Sequence, residues 1–184
     1  MSSDQLIAVM SDAMRGLLQA AMSSGSSVVL AAPHEDAQDG LVLHLFRIAQ
    51  PPLARASPVI GSDGRRLRQA TNVHLDYLIT GPAGDALQAH ALLGTALRAL
   101  GEVYVFDEAS LQPLMSQPDR LQSLNAKTLL VQLRALDLPL AEQAAVWSAC
   151  GARQRAGVFW RIEASWEAMD VAGPPVVERG GIEQ

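Results

Sequence analysis

Residues 71–80 read TNVHLDYLIT, and their alternation sets the fold class. Val73, Leu75, Tyr77 and Ile79 fall on one side of an extended chain; His74, Asp76, Leu78 and Thr80 fall on the other. This two-residue period is that of a β-strand with one face turned to a core. Just upstream, residues 41–48, LVLHLFRI, are almost continuously apolar, which predicts a strand covered on both faces over most of its length. The two strands are expected to pair as antiparallel neighbours. Downstream, residues 128–136 alternate Leu129, Val131, Leu133 and Ala135 against Leu130, Gln132 and Arg134. Residues 157–169 set Val158, Trp160, Ile162, Ala164 and Trp166 against Phe159, Arg161, Glu163, Ser165 and Glu167, a half-buried strand whose outer face is solvated or interfacial. Two shorter extended segments are expected at 28–32 and 103–106.

Helical periodicity fills the intervals. In residues 4–22, Leu6, Ile7, Met10, Ala13, Met14, Leu17, Leu18 and Ala21 form one face, with Ser2, Ser3 and Asp4 as N-cap candidates and SSGSS at 23–27 as the stop. Asp12 and Arg15 break its apolarity, which excludes a membrane span, and no secretory signal pattern is present. Residues 85–100 form a second amphipathic helix, with Asp85 as cap and Leu87, Ala91, Leu92, Ala96, Leu97 and Leu100 as the expected buried face. Gly94 inside it implies close packing against a neighbour as compensation for about 1 kcal/mol of lost helix propensity. A brief helical turn is expected at 109–115, ended by Pro118. Pro139 opens a third helix that runs through Cys150 and closes at Gly151.

Strands and helices in this order give an α+β single domain: a mixed or antiparallel sheet with packed helices. The domain is expected to span 1–169, with a flexible tail over 170–184. One connection is out of scale. Residues 49–70, AQPPLARASPVIGSDGRRLRQA, link two paired strands with far more chain than a hairpin needs. They contain three prolines, and four arginines against Asp63 give a net charge of +3. This reads either as a loose surface loop or as an arm that docks onto another subunit, the arm with Leu53, Val59 and Ile60 as apolar contacts and Arg55, Arg65, Arg66 and Arg68 as polar ones.

The chain has 184 residues, 49% of them hydrophobic and 18% charged, enough apolar material for one ordinary core. Its net charge of -5 argues against general nucleic-acid or acidic-membrane binding, and aromatic residues do not interleave with basic ones. A single cysteine, Cys150, excludes an internal disulfide and reads as a buried, inert thiol. No HExxH, GxSxG or phosphate-binding glycine motif occurs. Glu35, Asp36 and Asp39 lack the spacing of a calcium loop. If the two main strands pair, His44 and His74 could meet near Asp76, which would give a small-molecule or metal-dependent enzyme; the spacing itself is unspecific. Trp147, Trp160 and Trp166 are expected to close the core or half-cover an interface.

Taken in order, several segments resemble the N-terminal domain of the tube-capping proteins of extracellular contractile injection systems, the phage-tail-like particles of the virulence-cassette and antifeeding-prophage type. The segments are the helical start from Leu6 to Leu18, LVLHLFRI, the loop LARASPVIGSDGRRL, VHLDYLIT, AHALLGTALRAL, and LPLAEQAAVWSA followed by a strand. The loop lacks the asparagine that often precedes arginine in the family, and the last strand is richer in tryptophan. The resemblance implies a tail-terminator-like fold without catalytic residues, cofactor or metal. It implies a structural protein that caps the inner tube, and with it the sheath, as a homo-hexameric ring. Tube and sheath subunits would be its partners, with no nucleic acid and no membrane insertion. It would assemble in the cytoplasm and then remain in the particle. A phage or prophage tail-completion protein would share this architecture.

Overall fold

A computed structural model of the chain describes residues 5–33, 40–51 and 71–168. Strands β1 (Val28–Leu30), β2 (Leu41–Ala49), β3 (Thr71–Thr80), β4 (Val105–Phe106), β5 (Ala126–Ala135) and β6 (Gly157–Ala168) form one sheet in the order β1-β2-β3-β6-β5-β4. β1 and β2 run parallel; every other neighbouring pair is antiparallel. The helices are α1 (Leu6–Ala21), α2 (Ala86–Gly101), α3 (Glu108–Leu111), α4 (Pro118–Ser123) and α5 (Leu140–Ala149), with a 3-10 turn over Gln112–Leu114. No helix among the described residues is long and apolar enough to cross a membrane.

The alternation seen in sequence is the alternation of the sheet. Val73, Leu75, Tyr77 and Ile79 meet Val158, Trp160, Ile162, Ala164 and Trp166 and Leu129, Val131 and Leu133 under α1 and α2, in a main core that also takes Leu6, Met10, Met14 and Leu18 from α1. On the other side, α5 covers a smaller cluster of Leu78, Trp147 and Phe159, joined by Phe46 and Leu136. Strand β2 is buried only over Leu41, Val42 and Leu43; the expected two-sided cover fails toward its C-terminal end, where the charged Arg47 is exposed and Ile48 stands 53% exposed.

Polar anchors fix α1 onto the sheet. Tyr77 is fully buried, and its hydroxyl shares a 2.9 Å hydrogen bond with Ser11 on α1. Burial pushes the Tyr77 phenol up from its ordinary value, against the Ser11 hydrogen bond. Asp12, also buried, accepts from the Ser116 amide and hydroxyl, each at 2.8 Å, and from Arg15 at 2.8 Å. Burial alone would raise its carboxyl, but the hydrogen bonds from Arg15 and Ser116 outweigh burial and leave it below the ordinary value. At the other end of α1, the Gln19 amide bridges the Ser26 carbonyl and the Val28 amide, and so sets where β1 begins.

The Asp12 clamp brings the 3-10 turn so close to α1 that a Cβ at Gly16 would collide with the Leu114 carbonyl. Gly16→Ala is therefore expected to destabilise by about 1–3 kcal/mol, although alanine is the better helix former. Urea unfolding checks this: an unchanged or raised midpoint would refute it.

Several expectations are corrected. Pro118 does not end the preceding turn, which stops at Leu114; it occupies the first turn of α4, where its missing N–H costs nothing. On α2 the buried residues are Ala89, Leu92, Leu93, Ala96, Ala99 and Leu100. Leu87 and Leu97 stand 80% and 44% exposed. Leu and Ala occur all round this helix, so periodicity could not fix which side faces the sheet. Cys150 is half-buried rather than buried, with its thiol pushed up by burial. Residues 170–184, the acidic segment with Glu35, Asp36 and Asp39, and the N-cap candidates Ser2, Ser3 and Asp4 lie outside the described residues.

Candidate functional site

Among the described residues, only α5 packs on the face of the sheet opposite α1, over its Leu78 and Phe159 end. The residues of this face lie in rows across β3, β6 and β5, set by the strand register: Leu78–Phe159, Asp76–Arg161–Arg134, His74–Glu163–Gln132 and Asn72–Ser165–Leu130. The first row is apolar and lies against Trp147. The second is ionic. Asp76, 1% exposed, accepts both Arg161 donors, from Nε at 2.6 Å and from Nη2 at 2.9 Å, and Arg47 on β2 stands 4.0 Å away. The fork-to-fork hydrogen bond with Asp76 raises the Arg161 pKa, so the guanidinium keeps its charge. The last two rows, with Pro51, line an open depression of about 260 Å³.

This register decides whether His44 and His74 meet. His44 stands opposite Leu78, whereas His74 stands opposite Ala49. Four residues of β3 thus separate the two positions, about 13 Å along the strand. The supposed meeting of His44 and His74 near Asp76 does not occur, and Asp76 is already occupied by Arg161. Among the described residues, no group of three His, Cys, Asp or Glu side chains could hold a metal ion. Phe46 follows His44 on this face and meets Phe159 edge-on at 5.8 Å, and a bulge between Leu45 and Arg47 brings Arg47 opposite Asp76 on the same face.

The three tryptophans divide between the faces. Trp147 is the buried residue of α5, with the Arg155 guanidinium 5.3 Å from its ring centroid. Trp166 lies in the main core and donates from Nε1 to the Leu124 carbonyl at 3.2 Å. Trp160 is in the same core, and its Nε1 is buried without a hydrogen-bond partner among the described residues. Gly94 overturns its expectation: it is exposed, and no described atom lies within 4 Å of where a Cβ would stand. Gly94→Ala should therefore stabilise the chain by about 1 kcal/mol. Thermal denaturation tests this; a lower melting temperature would refute it.

The arm residues Leu53, Arg55, Val59, Ile60, Arg65, Arg66 and Arg68 lie outside the described residues. Its two roots, Pro51 and Thr71, are described; Pro51 and Asn72, next to Thr71, line the open depression at one end of the sheet. Sequence reasoning missed the two sheet edges. β1 exposes Val29 and Leu30 at 43% and 46%; β4, with Tyr104 just before it, exposes Tyr104 and Val105 at 73% and 52%. Both segments are expected as extended from sequence, but only the strand order makes them edges. Neither edge carries the lysine or proline that ordinarily blocks strand pairing.

The family model for the Pvc16 N-terminal domain matches residues 10–178. Two solved structures share the fold. One is the sheath/tube terminator, in its extended state, of the extracellular contractile injection system PVC: 19% identity over 97% of this chain and 63% of that one, with a TM-score of 0.60. The other is the tube-terminating cap of the anti-feeding prophage: 17% identity over 95% of this chain and 60% of that one, with a TM-score of 0.60. The chain spans about three fifths of the length of each. No curated protein sequence matches it significantly.

Proposed function

The chain belongs to the Pvc16 N-terminal domain family, and from that membership we propose that it caps the inner tube of a phage-tail-like contractile injection particle, and the sheath with it. The family match over residues 10–178 carries this reading. The protein acts by binding rather than catalysis. It assembles in the cytoplasm as a homo-hexameric ring and remains part of the particle. A closed ring needs a head-to-tail interface between two unlike surfaces of one subunit. The open edges β1 and β4, at opposite ends of the sheet order, suit that demand. The arm, with Leu53, Val59 and Ile60 and the arginines Arg55, Arg65, Arg66 and Arg68, contacts tube or sheath subunits.

The test is electron microscopy of particles from a strain whose copy lacks residues 55–66. Circular dichroism and melting of the purified variant should match the parent, because the deletion removes only part of the link between β2 and β3. Particles should show tubes of uncontrolled length or no sheath. Normal particles from that strain would reject the arm as the contact. Normal particles from a strain lacking the whole gene would reject the capping role.

A further inference from the structure

The two edge strands of the sheet run in the same direction. β1 is parallel to β2, and each later step of the order, β2-β3-β6-β5-β4, is antiparallel. Those four reversals leave β4 pointing the way β1 points. The edges also agree in face. Val28 and Phe106 both enter the main core on the α1 side. Alternation puts Leu30 and Tyr104, 46% and 73% exposed, on that same side. The backbone agrees as well. The Ala31 amide donates to the Leu43 carbonyl of β2, so Val28 and Leu30 turn their own peptide groups outward, away from β2. The Leu133 amide of β5 donates to the Tyr104 carbonyl, so Val103 and Val105 turn theirs outward, away from β5. No residue of 28–31 or 103–106 carries a charge.

We propose that β4 of one copy joins β1 of a second copy as a parallel strand pair, with Tyr104 beside Leu30, so that the sheet continues from subunit to subunit around the cap. The pairing rests on the reading of the chain as a ring-forming cap. A sixfold rotation turns any direction by no more than about 60°, so a contact between β4 and the next β1 in such a ring cannot be antiparallel. The matched directions meet this demand, and the matched faces keep the α1 layer of one copy level with that of the next. In this register the Leu30 amide donates to the Val103 carbonyl across the junction, and the Val105 amide donates to the Leu30 carbonyl. A shift of two residues one way would set Leu30 beside Phe106. It would need the amides of Val28 and Asp107, which already donate to the Gln19 and Ser110 side chains. The opposite shift would set Leu30 beside Glu102, whose backbone is helical. Within the junction Tyr104 covers Leu30 on one face and Val103 meets Val29 on the other, with no charge to desolvate. So short a junction covers far less than the roughly 800 Å² per partner of a stable complex. The edges therefore meet in the assembled cap rather than between free chains.

Cysteine cross-linking in assembled particles tests the pairing, in a strain whose copy carries Cys150→Ser. Leu30→Cys combined with Tyr104→Cys should give, on oxidation, a disulfide ladder that continues past two copies, because opposed residues of neighbouring strands lie about 5 Å apart. Leu30→Cys alone and Tyr104→Cys alone should give no ladder. Capped particles without a ladder in the double variant would overturn the pairing and leave the capping role standing. Bands from either single variant would join like edges, and bands from Val29→Cys with Val105→Cys would set a different register; either result overturns the proposal. Leu30→Lys gives a second measurement. It should melt as the parent does, because the residue is exposed, yet lower the amount of protein bound to purified particles at least about tenfold. Parent-like loading of that variant would overturn the proposal. Normal particles from a strain lacking the gene would remove the capping role, and the pairing with it.

Discussion

Trp147→Ala is expected to lower stability by about 3–5 kcal/mol, the usual cost of deleting a buried tryptophan. That is a large fraction of the roughly 5–15 kcal/mol by which domains are stable. The effect should be local in structure as well as large. Trp147 is the fully buried residue of α5, seated on Leu78 and Phe159, and Arg155 lies over its ring. Removing the indole leaves α5 with only partly buried contacts such as Val146, and uncovers the apolar row beneath it. Urea unfolding should show a clearly lower midpoint, and exchange in α5 should accelerate more than exchange in β3. Trp147→Phe should recover much of the loss, because a ring still fills the site. A midpoint within error of the parent would mean that α5 is not held by this side chain.

The second large effect is expected at Asp76. Asp76→Ala strands the Arg161 guanidinium on the sheet without its two-point acceptor, and such a break costs about 3–5 kcal/mol. The neighbouring Glu163 and the solvent reached by Arg161, 24% exposed, place the result toward the lower end of that range. The double variant Asp76→Ala/Arg161→Met should be less destabilised than the two single changes added together, because it removes both charges at once. Strict additivity in the double-mutant cycle would show that the pair does not act as a unit. The cycle also separates two roles for Asp76: a structural ion pair predicts this coupling, whereas a metal ligand predicts none with Arg161.

Alternation made the sheet legible in advance. The faces of β3, β5 and β6 follow from period two, which survives because one face of each packs into the main core while the other carries the polar and ionic rows beside a smaller apolar cluster. The same patterns place Leu78 and Phe159 on the side away from α1, although not what covers them. The closing of α5 was also legible: Gly151 adopts φ +66°, and the Ala152 amide reaches back to the Trp147 carbonyl at 3.3 Å. For the candidate surface, the alternation named Asp76 and Arg161 as outward residues. It could not say that they face each other, because pairing depends on which strands are neighbours and in what register.

What the sequence determined by itself is therefore every strand and long helix, though not the short α4, and the side of each long strand that faces the core. These are local properties, fixed by the geometry of one residue after another. Tertiary structure decided the rest. The register separated His44 from His74 and joined Asp76 to Arg161. The setting of α2 turned Leu87, Gly94 and Leu97 outward, because Leu and Ala recur round most of the helix and neighbouring rotations gain similar burial. The close approach of α1 to the 3-10 turn made Gly16 necessary, and the strand order turned two short segments into open edges. Each of these joins residues far apart in the chain, and no pattern within a single segment encodes such a meeting.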